Sequence, residues 1–126
     1  MNITLWVLQV LLALAFLAHG GLLLAPPPEI AAQMTAQLPR SFWVFLGVAE
    51  ILAGVGLTLP GISRILPGLV PAAAAGVMFV MISATIWHLA RSEYSSAAIT
   101  LLLLAMATFT AYGRWRLLPI RPRQTA

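Results

Sequence analysis

The 126-residue sequence contains no cysteine and no lysine. The first absence excludes disulfides, zinc–thiolate sites, iron–sulfur clusters and thiol redox chemistry, and leaves no trace of the redox compartment. The second excludes Schiff-base catalysis and a phosphate-loop lysine. No Gly-rich phosphate loop and no G-x-S-x-G nucleophile elbow is present. Charge is scarce as well: 8% of the residues are charged and 61% are hydrophobic, where a soluble domain carries roughly 25% charged residues. So few charges cannot cover a water-facing surface. The same arithmetic excludes disorder, because disordered chains are polar and charge-rich. The length allows one domain, residues 1–126, and the class is an all-α integral membrane protein.

All seven basic residues are Arg, against three Glu, for a net charge of +4. Arg114, Arg116, Arg121 and Arg123 fall in the last thirteen residues, directly after an apolar segment. A juxtamembrane basic cluster is a topology signal first and a contact for anionic lipid headgroups second. It is not a nucleic-acid signature.

Charges, prolines and glycines divide the chain into four apolar runs, 3–24, 41–59, 71–90 and 97–113. A helix rising ~1.5 Å per residue needs about 20 residues to cross a ~30 Å hydrocarbon core. The first three runs fit, and the fourth must borrow flanking residues or sit in a thinned bilayer. The first run lacks a basic leader, is long for a signal peptide and is followed by Pro26, Pro27 and Pro28, so it is expected to be a retained helix. Those prolines suit a helix start, with Glu29 on the positive end of the dipole. Ile30, Met34 and Leu38 then recur at i, i+4 and i+8, the pattern of a short amphipathic helix lying on the membrane surface; an irregular loop is the alternative. Pro60-Gly61 and Pro67-Gly68 are turn signals around Arg64. Residues 91–96 form a polar turn. The expected architecture is a four-helix transmembrane bundle with a short interfacial helix between the first two spans.

Four spans put both termini on one side. That side holds Arg64 and the tail; the other holds Arg40 and Arg91, offset by Glu29 and Glu93. The positive-inside rule therefore predicts a multi-pass protein of the bacterial inner (cytoplasmic) membrane with both termini cytoplasmic.

Within the apolar runs stand three side chains with chemistry: His19, Glu50 and His88. His19 lies five residues before Leu24, Glu50 is nine residues into its span, about 13 Å deep at 1.5 Å per residue, and His88 is near the outer end of its span. All three fall in the non-cytoplasmic half. At 100° per residue, Trp43, Gly47, Glu50, Gly54 and Thr58 share a face within roughly 80°. Small residues beside a carboxyl allow close helix approach and turn the carboxyl inward. His88 shares its face with Thr85, Ala84, Met81 and Val77, and His19 with Leu12, Ala15 and Phe16. Thr100 sits at the depth of the cluster, on a face with Ala107 and Ala111. Gln9 lies near the cytoplasmic end, outside this group.

A carboxylate at mid-membrane costs ~2.5–3.5 kcal/mol on insertion scales. It must be protonated, paired or facing water, and two imidazoles at similar depth are suitable partners. The pattern predicts a His19–Glu50–His88 cluster lining an outward-opening pocket, with Thr100, Trp43 and Thr85 as further ligand-binding candidates. Glu50, His88 and His19 are also the candidates for catalysis. Bland alternatives stand beside this: a buried Glu serves as packing glue between helices, and a His at a helix end rests in the headgroups. Two His and one Glu form a facial metal set in principle, but no H-x-x-H or H-E-x-x-H spacing supports one, and no metal site is assigned. Trp6, Trp43, Trp87 and Trp115 lie near span ends, as an aromatic belt requires. Gly54-Val55-Gly56 is read as helix packing.

Several motifs recur together. The first run holds Trp6-x-x-Gln9-x-Leu11-Leu12-Ala13 and Phe16-Leu17-x-x-Gly20. The second holds Gly47-x-x-Glu50-Ile51-Leu52 and Gly56-Leu57-x-Leu59-Pro60. Ala84-x-x-x-His88-Leu89-x-Arg91 ends the third, and Ala111-Tyr112-Gly113-Arg114-Trp115 ends the fourth. Their order and spacing resemble the DoxX-like family of small four-helix bacterial membrane proteins over nearly the whole chain. The resemblance implies a four-helix bundle with Glu50 and His88 facing a pocket. Where many relatives carry Lys after the glycine of the first helix, this chain has Leu23; where many carry Asn early in the last, it has Thr100. An activity that needs those two groups is thus implied to be altered or lost here, with His19 a feature of a subgroup. The family is named for association with a thiosulfate:quinone oxidoreductase, and that name assigns no function to this chain.

Three readings stay open. One is a binding or accessory module that holds an apolar ligand (a quinone, a lipid or an isoprenoid-like molecule) or assists a partner membrane protein, with the lipid bilayer as its constant partner. The second is an enzyme, an isomerase or a quinone-linked oxidoreductase, in which Glu50 and His19 or His88 move protons. The third is a purely structural subunit. No cofactor is assigned.

Overall fold

The structure, a computed structural model, describes residues 1–124. In chain order the helices are α1 (Asn2–Leu24), α2 (Pro28–Gln37), α3 (Arg40–Ser63), α4 (Leu69–Ala90) and α5 (Tyr94–Tyr112); α5 runs directly into a π-helical turn, Gly113–Leu117. The four long helices are long and apolar enough to cross a membrane, the last counted through Leu117. They form an all-α bundle with α2 as the short helix between the first two spans. The fourth span reaches its length as its short apolar run requires, by taking in Tyr94, Ser95 and Ser96 at one end and the π turn at the other.

In lipid, burying apolar surface does not drive helices together, so close packing between small residues has to. α1 and α3 meet at glycines. A Cβ on Gly20 would lie 2.9 Å from the Gly47 carbonyl oxygen, and one on Gly47 would lie 3.0 Å from the Gly20 carbonyl oxygen. Farther along, Gly54 receives Leu17. α3 meets α4 where Gly56 faces Ala73, and the end of α5 meets the start of α1 where Gly113 faces Leu5. The core between the helices holds Leu12, Phe16, Leu57, Ala74, Val77 and Ala107. Phe45, Phe79, Leu102 and other large apolar side chains point outward, as the acyl chains require.

α3 does not turn at Pro60-Gly61, where the sequence signalled a turn. It continues to Ser63 with Pro60 inside. A proline removes one helical hydrogen bond and opens the ladder before it. Spanning helices tolerate this when a neighbour satisfies the freed backbone. Gln9 of α1 donates from Nε2 to the carbonyl of Leu57, 2.7 Å away and next to the Gly56 carbonyl that Pro60 leaves without its helical donor. The chain turns instead after Ser63, with Arg64 and Leu66 in the left-handed region at φ 57° and 49°.

The Arg123 N–H donates to the Arg64 carbonyl at 2.9 Å, and Arg114 reaches Asn2. The N-terminus, the α3–α4 connection and the C-terminal tail therefore lie at one end, the terminal end. α2 and the α4–α5 turn lie at the other, the distal end.

Candidate functional site

At the distal end the helices line an open cavity of about 700 Å³. Its walls come from α1, α3, α4 and α5, and α2 covers it. Ile30, Met34 and Leu38, the apolar stripe of α2, face this cavity; the amphipathic helix turns its apolar side to the bundle's open end. A side chain of α3 holds the cover, and another ties α3 to the end of α1. Trp43 donates from Nε1 to the Met34 carbonyl at 2.8 Å. Arg40 donates to the carbonyls of Leu23 and Leu24, both at 2.6 Å, which satisfies two orphan acceptors at the end of α1.

The lining is mostly apolar, with Phe16, Leu22, Leu46 and Leu103 among it, and polar groups intrude at two places. On the α1–α3 side, His19 Nδ1 lies 2.6 Å from Glu50 Oε2. Glu50 is 3% exposed, whereas the His19 side chain is 55% exposed. One proton lies between the two atoms, whichever group carries it. The closeness follows from the glycine seam: Gly20 is the next residue after His19, and Gly47 lies one turn from Glu50 on α3. Phe16, Glu50 and Val80 also line a second cavity of about 320 Å³ between α3 and α4, with Ala53, Ala73 and Val77. The carboxyl thus stands at the junction of the two.

His88 borders the large cavity from the α4–α5 side. Its nearest carboxylate is Glu93, not Glu50. Nδ1 lies 3.5 Å from Glu93 Oε1, and is buried without a hydrogen bond among the described residues. Glu93 in turn accepts from Arg91 Nε at 2.9 Å, and Arg91 stacks over Trp87 at 5.3 Å. The Arg91 hydrogen bond is the main reason the Glu93 carboxyl is held below the usual carboxylate range, with His88 adding to it.

Of the residues singled out from the sequence, His19, Glu50, His88, Thr100 and Trp43 all border the large cavity. Thr85 does not. It is turned into the helix pair, its hydroxyl 2.7 Å from that of Thr100 and bonded to the Met81 carbonyl at 2.7 Å. Thr100 thus has its hydroxyl engaged, and Leu23, at the other departure from the family pattern, is a buried wall residue. Sequence reasoning missed Glu93, because a carboxylate two residues from an Arg in a polar turn looks like a solvated pair.

It also missed a second polar centre, at the terminal end. Arg114 is 3% exposed. It donates from Nε to Gln9 Oε1 at 2.6 Å, from Nη1 to Asn2 Oδ1 at 2.7 Å and to the Leu118 carbonyl at 3.2 Å, and it lies over Trp6 at 5.2 Å. Read from the sequence, Arg114 belonged with the exposed tail. The available signal was the i, i+4, i+7 spacing of Asn2, Trp6 and Gln9, which puts all three on one face of α1. Among the described residues no three His, Asp or Glu side chains converge as a metal site would require.

Four spanning helices, apolar outer faces and polar groups turned inward define an integral membrane four-helix bundle. The DoxX-like family model matches residues 7–110, nearly the whole bundle, and the chain belongs to the DoxX-like family. Comparison with curated proteins and with solved structures gives no match.

Proposed function

We propose that this protein binds an amphiphilic molecule from the bilayer in its distal cavity, with the His19–Glu50 pair as the polar anchor. The observation that carries this is a buried carboxyl bonded to an imidazole at 2.6 Å on the wall of a mostly apolar cavity. Ligand pockets are typically ~300–1,000 Å³, mainly apolar, with a few convergent polar groups, and about 700 Å³ fits that description. The adjoining smaller cavity, lined by Ala53, Ala73 and Val77, gives an apolar tail room beyond the head. A quinone, a lipid or an isoprenoid-like molecule meets these demands. The test is native mass spectrometry of the protein extracted in mild detergent. The expected result is one amphiphile retained by the wild type and lost from the Glu50→Gln variant. A wild type that carries no such mass, or a variant that keeps it, overturns the reading.

A second reading, an enzyme, draws support from the same bond. A carboxyl and an imidazole sharing a proton beside a cavity form the arrangement of a proton relay. It predicts turnover that Glu50→Gln and His19→Gln each abolish, where the binding reading predicts graded losses of affinity. The accessory role beside a partner membrane protein predicts lost assembly alone.

For location we propose a multi-pass protein of the bacterial inner (cytoplasmic) membrane with both termini cytoplasmic. Support comes from the five Arg at the terminal end (Arg64, Arg114, Arg116, Arg121, Arg123), against Arg40 and Arg91 at the distal end with Glu29 and Glu93.

A further inference from the structure

The distal cavity has two polar places, and only one is used above. His88 and Glu93 both border the cavity, and their arrangement repeats that of His19 and Glu50. In each, the ring turns Nδ1 toward a carboxylate oxygen, at 2.6 Å for His19 and 3.5 Å for His88. In the neutral ring whose Nδ1 carries the proton facing the carboxylate, the lone pair rests on Nε2. Neither Nε2 has a hydrogen-bond partner among the described residues, and both residues border the cavity, so each ring is free to bond a ligand there. The two rings sit on different helix pairs, His19 on α1 beside α3 and His88 on α4 beside α5.

We infer that the cavity grips its ligand at two points, His19 with Glu50 and His88 with Glu93, and so selects an amphiphile whose head bears two hydroxyl groups. Each hydroxyl donates to one Nε2. Glu93 is a positioning residue, acting through the His88 ring, and Arg91 keeps it ionised from the rim. This inference rests on the binding reading and narrows its ligand. Two sources supply the same chemistry, a glycerol diol on an acyl chain or a dihydric phenol on an alkyl chain.

The experiment uses the full chain in detergent micelles, with the fluorescence of Trp43 and Trp87 at the cavity wall as readout. Four probes are titrated: monooleoylglycerol against oleyl alcohol, and pentadecylresorcinol against pentadecylphenol. The wild type is expected to bind one of the dihydroxy probes about tenfold tighter than its monohydroxy match, the value of one hydrogen bond. Which one it prefers identifies the source. His88→Gln and Glu93→Gln are expected to abolish that preference and leave the monohydroxy probe bound as before; a variant that merely loosens the fold would weaken both alike. Equal binding of the matched probes by the wild type, or a preference that survives His88→Gln, overturns the two-point grip and leaves the single anchor standing. No binding of any probe overturns the grip and the cavity reading together.

Discussion

Arg114 shows how much a single side chain can join. Its guanidinium lies at the terminal end between α1 and the π turn, and it bonds Gln9, which in turn bonds the Leu57 carbonyl of α3 three residues before Pro60. One cation therefore ties the start of α1, the proline of α3 and the end of α5. A planar fork with donors fixed on Nε and Nη1 reaches two separated acceptors at once, whereas an ammonium gathers its donors on one nitrogen. Replacing Arg114 with Met leaves the buried Gln9 Oε1 without a donor, at about 1–3 kcal/mol of stability. Thermal unfolding in detergent should show that loss, and Arg114→Lys should recover little of it. Unchanged melting in both variants would show the network to be idle. The surface pair of Arg91 and Glu93 differs. Its worth is screened by water. Because the folded-state Glu93 carboxyl titrates below its usual range, its contribution is present above the unfolded value and fades as the pH falls through the folded one.

At the scale of the helix, α1 and α3 form the unit that brings His19 and Glu50 together. The seam of Gly20 and Gly47 sets the separation at which His19 meets Glu50. In Gly20→Ala the new methyl would stand 2.9 Å from a backbone oxygen, an atom that cannot swing aside. The helices must part, at roughly 1–3 kcal/mol. The expected outcome is a lowered melting temperature together with loss of the bound amphiphile in native mass spectra. Gly21→Ala, where nothing lies within 4 Å, should alter neither. A Gly20→Ala protein that keeps both would separate the carboxyl–imidazole bond from the seam.

At the scale of the whole molecule, the two ends do different work. The terminal end is closed by Arg114, by Leu5 against Gly113 and by Trp6 against Gly61; the distal end is held apart around a cavity and covered by α2. The asymmetry of charge follows the same division. Reporter fusions test the proposed orientation: a fluorescent protein on the C-terminus should fold and glow, and alkaline phosphatase there should be inactive. The reverse pattern would put the cavity's mouth toward the cytoplasm.

Much of this was legible in one dimension. Four long apolar runs, three of them without charge, can only be spans, because a backbone in lipid must satisfy its own hydrogen bonds. Glycines spaced along the second run placed Glu50 inward, since a carboxyl cannot face acyl chains cheaply. Both features depend on composition and period, which are local. Partners were not legible. His88 and Glu50 share a depth, yet the helix pairs carry them to different walls, and His88 finds Glu93 five residues on. Arg114 stands among tail arginines in the sequence, yet it is folded under Trp6 and against Gln9, 105 positions away. The chain's hydropathy thus determined that it spans a membrane four times with a carboxyl inside. Only the crossing of the helices decided which groups meet, because contacts between spans depend on how close small residues let two backbones come.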